Sequence, residues 1–65
     1  MRGFWSGHVY AVLWGRDAVL CDYEGYEAWI PYDVICDDSD IYKNCCEDEG
    51  ELVIPWSKAW ELGWG

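Results

Sequence analysis

The chain has 65 residues, one domain at most, and a domain of that size is marginal on its core alone. Thirteen Asp and Glu stand against four Lys and Arg, a net charge of −9 that argues against direct binding to nucleic acid or anionic lipid. Six Trp, five Tyr and one Phe supply packing area, roughly 150–250 Å² for each buried ring, and argue against disorder.

The first half reads as antiparallel strands. Residues 5–14 (WSGHVYAVLW) alternate past Gly7, with Val9, Ala11 and Leu13 on one side and His8, Tyr10, Val12 and Trp14 on the other. Gly15-Arg16-Asp17 signals a turn. Residues 18–23 (AVLCDY) form the second predicted strand. Glu24-Gly25 is a two-residue hairpin loop, with Gly available for positive φ. Residues 26–31 (YEAWIP) form the third strand, and Pro31 ends its pairing because it has no N–H to donate. Tyr32 to Ile35 read as one tight turn that tucks Val34 and Ile35 under the sheet.

An acidic loop, 36–50, comes next; its composition is too polar and punctuated for core. Between residues 37 and 51 seven carboxylates face one lysine, so this stretch carries −6 and the other fifty residues −3. Residues 51–55 (ELVIP) form a fourth strand, and a short helix begins after Pro55. Trp56, Ala59, Trp60 and Trp64 give that helix an apolar stripe, with Gly63 as its cap. So short a helix is unstable alone and must dock on the sheet. The fold class expected is α+β, a single domain over 1–65. It is a curled, partly barrel-like four-stranded antiparallel sheet with one C-terminal helix. No export signal or membrane span is visible, which predicts a cytoplasmic protein with reduced thiols.

The run AVLCDYEGYEAWIPYDVI, continued after the acidic gap by ELVIPWSKAWELGW, resembles a group of small phage and prophage proteins. They share an AVL-type strand, a Gly-containing turn, a W-[IV]-P-x-S-x-[IL] strand end, an apolar strand ending in Pro and a short terminal helix. The likeness covers roughly residues 17–64, with Asp33 where the pattern has Ser, Tyr32 where Lys is common and Trp64 where Leu is usual. It implies a phage setting, in which tiny acidic proteins often block host defence enzymes, anti-CRISPR and anti-restriction inhibitors among them.

Catalysis has little support. His8 is the lone histidine, the serines lack a nucleophile-elbow context, and no glycine-rich phosphate loop precedes a helix. An EF-hand frame started at Asp38 fits at Asp40 and Glu49 but puts Tyr42 and Lys43 where a ligand and the turn glycine belong. Zinc sites pair cysteines at C-x₂₋₄-C, whereas Cys45 and Cys46 are adjacent and Cys21 and Cys36 stand alone. Cys21 reads as a buried strand hydrophobe, and no cofactor motif is present.

The tryptophans divide between core and interface. Trp14, Trp29 and Trp60 are expected in the core; Trp5, Trp56 and Trp64 are expected outside, for a partner or a homodimer seam. The acidic stretch is either a solvated loop or a phosphate mimic. Carboxylates at i and i+2 on an extended segment lie about 6.7 Å apart on one face, close to two steps along a DNA strand. Asp38 with Asp40, Asp22 with Glu24, and Glu47, Glu49 and Glu51 have this spacing, with Tyr26, Tyr32 and Tyr42 interleaved. The contact residues expected are Tyr32, Asp33, Asp37, Asp38, Asp40, Glu47, Asp48, Glu49 and Glu51. The expected partner is a host nucleic-acid-binding protein with a basic surface, a CRISPR effector first. The rivals are a phage structural or regulatory module that binds through exposed Trp, and a small metal-binding domain.

Overall fold

The computed structural model describes residues 3–43 and 47–64; Cys45 and Cys46, candidate metal ligands by residue type, lie outside them. Four strands, β1 (Phe4–Trp14), β2 (Ala18–Tyr23), β3 (Tyr26–Pro31) and β4 (Glu49–Pro55), are followed by α1 (Trp56–Leu62). A single 3₁₀ turn, Tyr32–Val34, separates β3 from the acidic stretch. The sheet order is β3-β2-β1-β4, every pairing is antiparallel, and β3 does not pair with β4, so the sheet is open. No helix among the described residues is long and apolar enough to cross a membrane.

The β2–β3 hairpin is explained by its loop chemistry. Glu24 (φ 51°) and Gly25 (φ 89°) are both left-handed, the type I′ geometry that matches strand twist. The Gly25 N–H donates to Asp22 Oδ1 at 2.9 Å, which fixes the turn.

One face of the sheet is core. Val9, Val19, Cys21, Ile30, Leu52 and Ile54 are fully buried there, beneath α1 and Ile41. The alternation in β1 breaks at a bulge between Ala11 and Leu13. An extra residue exchanges the faces of all later residues in the strand. Leu13 therefore pairs with Leu20 on the outer face, and Trp14 pairs with buried Val19 and packs against the core. The expected sides of Leu13 and Trp14 are thus reversed.

The tryptophan assignments also change. Trp5 (8% exposed) shares the core face with Val9 and meets Tyr23 edge-on at 4.9 Å and Trp64 at 5.2 Å. Gly7 makes room for this ring: a Cβ there would lie 2.8 Å from the Trp5 indole. Trp29 is 47% exposed, because Ile30 takes the core position and Trp29 faces outward opposite Leu20. Trp60 is 68% exposed, since the side of α1 that docks carries buried Ala59, with Trp56 and Leu62 against the core at three-residue spacing. Trp64 lies beyond the helix. Gly63 (φ 81°) turns the chain back, with Gly63 N–H to Trp60 C=O (3.1 Å) and Trp64 N–H to Ala59 C=O (3.0 Å), a Schellman cap. That turn drops the Trp64 ring into the core.

Candidate functional site

The acidic stretch is anchored rather than floating. Ser39 (7% exposed) and Ile41 (0%) point inward between exposed carboxylates. Segment 36–41 runs along the outer edge of β4 as a strap. Its Cys36 N–H donates to Val53 C=O (2.9 Å), and its Asp40 N–H donates to Glu51 C=O (2.7 Å). Ser39 Oγ accepts from Val53 N–H (2.7 Å) and donates to Val53 C=O (3.1 Å). Asp40 Oδ2 accepts from Glu51 N–H (3.0 Å). Gly50 permits the approach, because a Cβ there would sit 2.6 Å from Asp40 Cβ. The edge-facing groups of Glu51 and Val53 are thereby satisfied, as a protected edge requires.

Six of the nine expected contact residues line three adjoining depressions, which share Tyr32, Tyr42 and Lys43. Asp40, Glu47 and Glu49 line a shallow depression of about 400 Å³ with Ser39 and Tyr42. Glu51 adjoins it through Asp40. Tyr32 and Asp33 instead line a second depression, about 500 Å³, with Asp17 and two cations, Arg16 and Lys43. Tyr32 is a structural pin. Its hydroxyl donates to Gly15 C=O at 2.7 Å, its ring stacks on Trp14 at 6.4 Å, and Lys43 Nζ lies 6.0 Å above it. Burial, with the nearby Cys21 and Asp17 charges, raises the Tyr32 hydroxyl above the ordinary phenol range. Asp37 and Asp38 are exposed at the strap's first turn, which Ser39 N–H to Cys36 C=O closes (3.0 Å). Their charges, after its own burial, raise the Cys36 thiol. Asp48 is exposed, and its carbonyl accepts from Ala11 N–H (2.7 Å).

The outer face of the sheet gathers the charge. Cross-strand register puts Glu49, Tyr10, Asp22 and Glu27 in one row over all four strands. Glu51, opposite His8, extends it, and His8 Nε2 lies 2.9 Å from Glu49 Oε1. Asp22 and Glu27 are directly opposite each other, and among the described residues neither forms an ion pair. Like charges so placed are destabilising. The next row, Leu13, Leu20 and Trp29, is apolar.

Sequence spacing finds Glu49 and Glu51 but misses Glu27, which lies five positions after Asp22 and faces it by register across the Glu24-Gly25 turn. Asp22 and Glu24 do not extend the i, i+2 pattern, since Glu24 is in the turn. Cys21 is fully buried in β2, as its strand position predicts. Among the described residues no group of three His, Cys, Asp or Glu is arranged to hold a metal. Compared with family models, curated proteins and solved structures, the chain has no match.

Proposed function

We propose that this chain is a non-catalytic, phage-type inhibitor. Its acidic outer face occupies the nucleic-acid channel of a basic host defence protein, with a CRISPR effector as the first candidate. The observation that carries the reading is the Asp22–Glu27 pair within the row Glu49–Tyr10–Asp22–Glu27. Two carboxylates held opposite each other cost stability in the free protein. Lysines and arginines of a partner remove that cost on binding. Neighbouring strands are about 4.8 Å apart, and Glu49 and Glu51 about 6.7 Å apart along β4. The step along β4 is close to two phosphate intervals along a DNA strand, about 3.4 Å each. The strap supports the face by fixing Asp40 and Glu51 at its β4 border.

The test is displacement. A purified CRISPR effector is loaded with a fluorescent target duplex of about 20 base pairs, the length such a channel holds. Added protein lowers the anisotropy to that of free duplex. An effector that keeps its duplex at saturating protein contradicts the proposal.

A further inference from the structure

The two edges of the sheet are unlike. The strap occupies the edge groups of Glu51 and Val53 on β4. Among the described residues no segment covers β3, and its direction of pairing can be read from its neighbours. The two-residue turn bonds Tyr23 to Tyr26, and Tyr32 N–H donates to Asp17 C=O at 3.1 Å, so alternate pairs between these limits are the hydrogen-bonded ones. Tyr26, Ala28 and Ile30 thus pair with β2, while the N–H and C=O groups of Glu27 and Trp29 point away from the sheet. Among the described residues no hydrogen bond is made to them. They offer two donors and two acceptors at the spacing of an antiparallel strand.

The side chains state what kind of strand fits. On the outer face the edge presents Glu27 and half-exposed Trp29; on the core face it presents Tyr26, Ala28 and Ile30. A cation suits the first face, by ion pairing with Glu27 and by stacking over Trp29. An apolar residue suits the second. The charge along this hairpin has one sign: residues 17–33 hold five carboxylates and no Lys, Arg or His, and the cations Arg16 and Lys43 lie beyond its end, beside Tyr32 and Asp33. A second copy would bring the same sign to this edge. A basic strand would not.

We infer that the β3 edge is a strand-addition site for an extended partner segment in which basic and apolar residues alternate. The inference rests on the proposed acidic face for the partner's charge, and adds where and how the partner's main chain is held. Main-chain bonds give such a site its affinity, and alternate side chains its selectivity.

Three synthetic ten-residue peptides test it on the full chain at about 0.15 M salt, where exposed charges are screened beyond about 8 Å. One is oligolysine, one alternates lysine and valine, and one is the alternating peptide N-methylated at every second residue. Titration calorimetry gives affinity, and amide exchange gives location. The alternating peptide is expected to bind at least about ten-fold tighter than oligolysine and to slow exchange at the Glu27 and Trp29 amides. N-methylation should erase that ten-fold gain, and Glu27→Lys should weaken the alternating peptide by a similar factor. Equal binding of the alternating peptide and its N-methylated twin, or unchanged exchange at Glu27 and Trp29, overturns strand addition. Failure of oligolysine to bind even at low salt counts instead against the acidic face.

Discussion

Asp40 and Glu51 hold each other twice: Asp40 N–H donates to Glu51 C=O at 2.7 Å, and Glu51 N–H donates to Asp40 Oδ2 at 3.0 Å. The carboxylate thus takes the place of a missing strand residue. Asp38, two residues earlier, is exposed and does not form the ladder. Hydrogen bonds to charged groups contribute roughly 1.5–3 kcal/mol, less in contact with water. Asp40→Ala should therefore cost about 1 kcal/mol, and Asp38→Ala should fall within about 0.5 kcal/mol of the parent. Urea denaturation of the two variants checks the difference. Identical midpoints would show that the Asp40 carboxylate's bond to Glu51 adds nothing to stability.

The two C-terminal tryptophans should behave oppositely. Trp64 is 9% exposed and contacts Trp5 and Tyr23, whereas Trp60 is 68% exposed. Trp64→Ala should cost about 3–5 kcal/mol, enough to unfold so small a domain. Trp60→Ala should change stability by no more than about 0.5 kcal/mol. The buried Trp64 indole N–H has no partner among the described residues. Trp64→Phe, which removes that donor and keeps a ring, should cost much less than the alanine change. Thermal melting of the three variants measures the order.

Gly7 and Gly50 should resist a methyl group for different reasons. At Gly7 the added Cβ meets the Trp5 ring at 2.8 Å, and at Gly50 it meets Asp40 Cβ at 2.6 Å. Overpacking of this kind costs typically about 1–3 kcal/mol. Gly50→Ala should also speed amide exchange at Asp40, because the strap must lift; Gly7→Ala should leave that amide unchanged. Hydrogen exchange measured by NMR separates the two.

Cys21 links stability to alkaline pH. Burial pushes its thiol up to about 11 from an ordinary 9.0. The folded chain thus keeps the proton longer than the unfolded one. Its contribution is complete below about pH 9 and is lost as pH rises to 11, a change of about 2–3 kcal/mol at 1.36 kcal/mol per unit. Tyrosines and lysines titrate in the same window, so the quantity to measure is the difference between the parent and Cys21→Ala. That difference should shrink steadily from pH 9 to pH 11; a constant one would mean that Cys21 does not titrate differently on folding.

The features legible in the sequence were local. The hairpin 18–31 has its expected bounds, and Glu24-Gly25 sets its turn through its own backbone; Pro31 does not end the pairing, since Tyr32 N–H still donates to Asp17 C=O. The helix likewise starts after Pro55 and ends at Gly63. Features that depend on facing were harder to read. One bulge after Ala11 exchanged the sides of Leu13 and Trp14, and one cap at Gly63 moved Trp64 from the surface to the core. The strap looked like loop because its inward residues, Ser39 and Ile41, are separated by carboxylates. Its hydrogen bonds join residues 11 to 17 positions apart, which no local pattern encodes. Asp22 and Glu27, by contrast, meet through the register that the two-residue Glu24-Gly25 turn sets.

In the proposed function binding depends on the outer-face carboxylates, and neutralising them without changing their shape tests that dependence most directly. The variant is Asp22→Asn with Glu27→Gln and Glu49→Gln. These side chains lie on the outer face, away from the core, and none of them makes the strap's hydrogen bonds to β4, so the fold should persist. The measurement is the dissociation constant for a purified CRISPR effector against salt, from about 0.05 to 0.5 M. For the parent, affinity should fall steeply with salt, because the contacts are charged and exposed. For the variant, affinity at low salt should drop at least about a hundred-fold, near 3 kcal/mol, and its salt dependence should flatten. A variant that melts like the parent yet binds the effector as tightly, with the same dependence on salt, would contradict the proposed inhibitory face.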